Sequence, residues 1–489
     1  MIIRQKHALS VSLVWMLWIS GWTVVAVAPE RLNADILLNS VMALQKLTLF
    51  YWGQDRLLNV LPFTVALIRD PGLNLAAVLF LSALSFNLLL HAAAWQAARL
   101  LDARNAQVVT AQVFISMSGL YLFIFTTEAV AEISIGHIEY SLSALMLALA
   151  VWKFLPPGDH MLTWRGFLVA SILLVISLGM NPSSLIAAGF IVLCVAYRRR
   201  SCGRREAGVI LVALGAFVFW RLVTIQGGTG SYFVFLPRIF LAGADQVARG
   251  LLGTLNLKIL IPALLVGVLA GRLLWPWREA APNASLQVLG YLRDCVIVFS
   301  AGWLILFASN LWVELNGFAW RYFIYVIIAC LLLVTAYLVR LFGVVGPGPA
   351  WGLTGAIMLG ASLVTVSAPK PFSEYRVFQQ VDALTLPGRG LYGGDYWVVW
   401  PSVLRDMMAG HEAYGLVYRG QANRDAARDF VLRQVRDHGH AELHCLNVSL
   451  DTCLSSAQGV VGPLDILGAD RASGSVTVVK ISAQADSPK

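Results

Sequence analysis

The sequence predicts an all-α polytopic membrane protein of about eleven transmembrane helices with a small α+β extracytoplasmic C-terminal domain. Three observations predict it. Of 489 residues, 58% are hydrophobic and only 13% are charged, whereas a soluble domain carries about 25% charged residues. The apolar residues come in runs long enough for helices to cross a bilayer, which takes about twenty residues. From about residue 368 onward the composition changes, with twelve Lys and Arg against thirteen Asp and Glu.

In chain order the apolar runs fall at 8–28, 73–94, 106–127, 138–154, 165–180, 184–197, 206–222, 259–275, 293–309, 322–343 and 351–367. Lipid offers no partner to backbone polar groups, so spanning segments are helices or closed barrels. Runs this continuous lack the alternation of a barrel strand. Lys and Arg in the loops set the orientation. With the N-terminus in the cytoplasm, fifteen of them face the cytoplasm and nine face outside. Arg198, Arg199, Arg200, Arg204 and Arg205 weigh most, because their loop is short. An odd number of spans puts the C-terminus outside. Of the net charge of +9, the membrane part carries +10 and the tail −1, so the positive balance is a topology signal and no nucleic-acid footprint. The first span has a signal-like charged start at Arg4 and Lys6 and no small-residue cleavage site, as in a retained anchor.

The expected organisation is a transmembrane domain over 1–367, with interfacial helices in loops 29–72 and 223–258, and a C-terminal domain over 368–489. In the first loop Ile36, Leu37, Val41, Leu44, Leu47 and Leu49 interleave with Asn39, Gln45 and Lys46, the pattern of a helix lying in an interface. Tyr51 and Trp52 then sit at headgroup level. Asp35 and Asp55 mark this loop. The plainer alternative is that Asp35 caps the helix and Asp55 pairs with Arg56.

The second outside loop holds Glu128, Glu132, His137 and Glu139 and no basic residue. Such carboxylates are either solvated or answered by a cation, a metal or a polar substrate. Arg238 lies in loop 223–258, behind a Gly-rich turn. Arg321, between Trp320 and Tyr322, suits a lipid phosphate, which it can bind bidentately. Its alternative is a snorkelling anchor.

In the tail, "SVLRDMMAG" and "NRDAARDFVLRQVRDHG" read as helices. The second has Ala426, Phe430, Val431 and Val435 on one stripe and Asn423 as N-cap. "GSVTVVKIS" alternates like a closing strand. Asp395 beside Tyr396, Trp397 and Trp400 reads as the carboxylate and stacking aromatics of a carbohydrate site, or as an aromatic strand docking on the membrane part. Cys445 and Cys453 lie eight apart on the oxidising side and read as a disulfide. The alternative is a metal site with His438, His440 and His444. The chain has no P-loop and no GxSxG, so ATP-driven transport and serine hydrolysis lack a local signature.

These parts together resemble the polytopic GT-C glycosyltransferases. The matching elements are the cytoplasmic N-terminus, the eleven or so spans, the acidic residue soon after span one in "LNADILLNS", the amphipathic helices and the extracytoplasmic C-terminal domain. "FYWGQDRLLNVLP" and "ISIGHIEYS" look like segments of bacterial membrane proteins of this type. The resemblance covers the chain as architecture. The paired acidic motif of many members is absent, since Ala34 precedes Asp35.

The resemblance implies an inverting transferase of the bacterial cytoplasmic (inner) membrane. It implies a polyprenyl-phosphate-linked sugar donor and an envelope glycan or lipid acceptor, lipopolysaccharide among them, on the outer face. It gives the general base to Asp35, with Asp55 second, and phosphate contacts to Arg321, with Arg56 and Arg238 as weaker candidates. Glu128, Glu132, His137 and Glu139 then line the acceptor or metal side. A divalent cation is an open alternative. Three rivals stand beside it. A transporter or flippase keeps ionisable residues at mid-bilayer, and here the span interiors are nearly bare. An O-antigen ligase or polymerase needs a large late loop, and the late loops here are short. The third rival is a non-catalytic envelope assembly protein.

Overall fold

The computed structural model describes residues 2–52, 58–101, 103, 105–136, 138–154, 163–199, 204–224, 234–256, 283–345, 347–364, 369–382, 390–419, 421–473 and 476–483. Backbone groups in apolar runs can satisfy only one another, and the chain is accordingly mostly helical. A helix covers each apolar run except 259–275, which lies outside the described residues. Among the described residues five helices are long and apolar enough to cross a membrane: His7–Arg31, Pro71–Leu100, Ala106–Ile124, Gln287–Ala308 and Trp320–Val344. The bent pair Thr127–Gly136 and Ile138–Phe154 adds a sixth if it is one span. Trp164–Met180, Ser184–Leu193 and Ala207–Val223 are shorter apolar helices.

The chain divides into two compact units, one of Met1–Ala26 with Ser82–Ser367, the other of Val27–Leu81 with Ala368–Lys489. The first is a helix bundle. Ile138–Phe154 packs on Trp164–Met180, and Ala106–Ile124 on Pro347–Val364. In lipid such contacts rest on close packing and hydrogen bonds. Gly179 supplies the first. A Cβ there would meet the Trp220 ring at 2.5 Å, and the indole Nε1 donates to the Val175 carbonyl at 2.8 Å. A hydroxyl network supplies the second. The buried Ser143 and Ser184 hydroxyls each lie 2.8 Å from that of Tyr325.

The second unit holds a five-stranded sheet: β1 Leu391–Gly394, β2 Tyr414–Gly415, β3 Ala441–Leu446, β4 Leu464–Ser473 and β5 Val476–Ala483. The spatial order is β2-β1-β3-β5-β4. β1 is parallel to β2 and β3, while β5 is antiparallel to β3 and β4. Parallel neighbours need crossovers, which the helices Tyr396–Met408 and Gln421–His438 provide. Helix Leu450–Val461 follows β3, and the Cys445–Cys453 disulfide joins the two. Leu391, Leu416, Phe430, Val431, Leu443, Val479 and Ile481 form the core. Gly394 ends β1 at φ +115°, where a Cβ would strike the Leu446 carbonyl oxygen at 2.3 Å, so only glycine fits.

Several local expectations change. Asn423 is no N-cap. It lies buried inside Gln421–His438, where its Oδ1 accepts from the Arg419 amide and its Nδ2 donates to the Gly415 carbonyl, both at 3.0 Å. The segment "YGGDYWVVWP" is the end of β1 and the start of a helix, because Asp395 takes the N-cap position. In the first loop the helix is Ala34–Leu44, capped by Asn33 and not by Asp35. Its Ile36, Leu37, Leu38, Val41 and Met42 are covered by protein, and so are Tyr51 and Trp52. An amphipathic stripe looks the same whether lipid or protein covers it. Here the helix packs on Tyr396–Met408.

Candidate functional site

The site is built around Asp35. The Asn33 side chain accepts from the Ile36 amide at 3.2 Å and fixes the helix start. Asp35 therefore stands in the first helical turn, where the peptide dipoles favour a carboxylate. It is half-buried. Its Oδ1 accepts a hydrogen bond of 2.5 Å from the Tyr396 hydroxyl. Among the described residues its Oδ2 makes no hydrogen bond. The Asp35 carbonyl accepts from the Tyr51 hydroxyl at 3.1 Å and from Asn39 Nδ2 at 3.2 Å.

Tyr396 owes its place to Asp395, whose carboxylate accepts from the Trp397 amide at 3.0 Å and starts the helix. Arg419 completes the cluster. Its guanidinium carbon lies 4.8 Å from the Tyr396 ring centre and 5.7 Å from that of Tyr51. Its Nη2 is 3.5 Å from the Tyr396 hydroxyl, and its buried Nε makes no hydrogen bond among the described residues.

Burial pushes the Tyr51 phenol well above its ordinary value, and the charges of Tyr396 and Asp35 add to it. Burial and then Asp35 push Tyr396 up as well, with Arg419 opposing. Both phenols stay protonated donors at neutral pH. Burial works against the Arg419 charge, yet Tyr396, Tyr51 and Asp35 together hold it above the usual guanidinium value. The result is a carboxylate with one oxygen held by a fixed donor and the other left to act, with a cation behind the donor.

The first loop is held on the tail by contacts besides this cluster. Gln45 Nε2 donates to the Ala413 carbonyl at 2.7 Å, and Lys46 meets Asp425 at 2.5 Å. The Trp52 and Trp400 rings cross edge-on at 6.0 Å. Lys370 pairs with Glu30 at 2.9 Å.

Asp55, Arg56 and His137 lie outside the described residues. Glu128, Glu132, Glu139, Arg238 and Arg321 belong to the first unit, unlike Asp35. Glu128 is exposed in the first turn of Thr127–Ala131, Glu132 opens the π-helical turn Glu132–Gly136, and Glu139 sits in the first turn of Ile138–Phe154. Arg238 is exposed in Pro237–Ile239. Arg321 is half-buried in Trp320–Phe323, its guanidinium carbon 5.5 Å from the Tyr322 ring centre. Trp397 is 48% exposed and meets Tyr396 edge-on. Among the described residues no group of three or more His, Cys, Asp or Glu is arranged to hold a metal ion. The disulfide occupies both sulfurs that the tail metal site would have used.

Sequence reasoning missed Tyr396 and Arg419 as partners of Asp35. The one local signal was Asp395, since a cap fixes the residue after it on the first turn. Nothing local joins positions 361 residues apart.

The helices and the appended sheet together make a multi-pass membrane fold that two solved structures share. ArnT from Cupriavidus metallidurans, a GT-C glycosyltransferase, shares that fold in two solved structures. The one bound to undecaprenyl phosphate is 12% identical, with a TM-score of 0.50 over 97% of each chain. The apo form is 13% identical, with the same TM-score and coverage. The likeness is one of fold. No protein-family model matches the chain, and neither does any curated protein.

Proposed function

We propose that this protein is an integral membrane glycosyltransferase that moves a sugar from a polyprenyl-phosphate donor to a hydroxyl of an envelope glycan or lipid. The observation that carries the reading is Asp35, a half-buried carboxylate just after the first apolar run, with one oxygen held and the other without a hydrogen bond among the described residues. The GT-C fold supports it, as does the undecaprenyl phosphate in the ArnT structure that shares the fold. The excess of basic residues in the expected cytoplasmic loops supports a reading with the N-terminus inside and residues 368–489 outside.

No nucleotide sugar is available outside, so the lipid carrier supplies the activated bond. Asp35 takes the proton of the acceptor hydroxyl. That oxygen forms the new bond to the anomeric carbon while the bond from carbon to phosphate oxygen breaks. The electron pair leaves with the polyprenyl phosphate, and a single in-line displacement inverts the anomeric centre. A base within hydrogen-bond reach contributes about 10²–10⁴-fold to such a step. The phosphate-binding role goes to Arg321, with Arg238 and Arg56 as weaker candidates. Asp55 is the second candidate base. Glu128, Glu132, His137 and Glu139 are candidates for the acceptor side, and Asp395 and Trp397 for carbohydrate.

The test uses the full chain in proteoliposomes with radiolabelled undecaprenyl-phosphate-linked hexoses and pentoses, supplied one at a time with envelope lipid extract. Label passing to the extract, together with free undecaprenyl phosphate, is the expected result. Label passing only from nucleotide sugars contradicts the reading.

A further inference from the structure

We infer that Tyr396 and Arg419, from the tail, position the Asp35 carboxylate for proton transfer. This rests on the reading of Asp35 as the base.

The geometry distinguishes the two carboxylate oxygens. Oδ1 is engaged by a phenol that stays protonated, and Oδ2 keeps its lone pairs for a substrate hydroxyl. The Tyr396 hydroxyl also stands between the carboxylate and the cation, 2.5 Å from Asp35 Oδ1 and 3.5 Å from Arg419 Nη2. Without that hydroxyl, an acid and a guanidinium side by side would close into a direct pair. A direct bidentate pair takes up both oxygens, which leaves no base. Arg419 in turn is held by the faces of Tyr396 and Tyr51 and by the Asn423 bond to its amide.

A purely structural role accounts less well for this arrangement. The first loop is already tied to the tail by Gln45, Lys46, the Trp52–Trp400 contact and the packing of two helices. One more hydrogen bond adds little to that docking. Yet this one falls on the single carboxylate of the loop helix. In the transfer step the acceptor proton goes to Oδ2, and Tyr396 keeps its own proton throughout. Its donation to Oδ1 persists while Asp35 is charged and after it is protonated, so the carboxylate does not turn during the reaction.

The test measures kcat and KM for the full-length Tyr396→Phe variant in the proteoliposome assay, with the undecaprenyl-phosphate-linked sugar that the unaltered protein uses. Phenylalanine keeps the ring against Arg419, Trp397 and Trp400. The expected result is a fall in kcat of about ten-fold or more, the scale of one hydrogen bond to a charged group, with KM unchanged and a cooperative melt retained. Wild-type kcat overturns the inference, and so does a rise in KM with kcat unchanged. If Tyr396→Phe fails to fold, Arg419→Lys replaces it under the same criteria. Asp35→Asn, run alongside, separates the two readings. Full activity there removes the base assignment itself, whereas an inactive Asp35→Asn beside a fully active Tyr396→Phe removes only the positioning role.

Discussion

Asp35 takes its hydrogen-bond partners from residues distant in the chain, and two of them are phenols shifted by burial. The phenols of Tyr51 and Tyr396 are raised above their ordinary 10.0, first by burial. Tyr414 is pushed up to about 12, by burial and then by Glu412. A raised phenol stabilises the fold fully below the unfolded tyrosine value, and that stability is lost as pH rises through the folded value. Melting in detergent between pH 9 and pH 12 is therefore expected to show Tm falling once pH passes about 10, the ordinary tyrosine value. Tyr396→Phe flattens the fall, having no phenol left to ionise at that site. A slope identical to that of the unaltered protein contradicts the account. The pairing of Asp35 with Tyr396 was not legible in the sequence, because a hydrogen bond across 361 residues leaves no periodicity or spacing behind.

At the scale of elements, glycines and caps mark where the packing is tight. Gly179→Ala puts a methyl 2.5 Å from the Trp220 ring, an overpacking that costs about 1–3 kcal/mol. A thermal melt of the detergent-solubilised variant is expected to show the loss, and an unchanged Tm contradicts the packing of those helices. Asn33→Ala removes the cap from the Asp35 helix, at a cost of about 1 kcal/mol. Under the proposed base role of Asp35, Asn33→Ala is also expected to lower transfer in the proteoliposome assay, because the cap orients the first turn. Lys46→Ala breaks a pair whose partners are both about 40% exposed, so it changes stability by less than about 1 kcal/mol. The helices and the closing strand were readable because 3.6- and 2-residue periodicities mark them. The apolar stripe of the Ala34–Leu44 helix reads as interfacial in the sequence, since periodicity tells which face is apolar and not what covers it. Asn423 suits a cap by residue type, yet its side chain serves the turn before the helix instead.

The whole molecule shows where composition stops being informative. Long apolar runs are legible because a bilayer demands them, and the change near residue 368 is legible because charge returns there. That residues Val27–Leu81 cluster with Ala368–Lys489 was not legible. The contacts that join them, such as Lys46 with Asp425 and Gln45 with the Ala413 carbonyl, link positions 379 and 368 residues apart. The proposed orientation makes a prediction of its own. Alkaline phosphatase fused after Lys489 is expected to be active and a fluorescent protein fused there dark, with the opposite pattern contradicting an outside tail. In the proposed reaction the Asp35 carboxylate takes the acceptor proton during transfer from a lipid-linked sugar. A single-turnover measurement of undecaprenyl phosphate release by Asp35→Asn tests it most directly. A rate lower by about 10²–10⁴-fold with donor binding retained is expected, and a rate equal to that of the unaltered protein rules out Asp35 as the base.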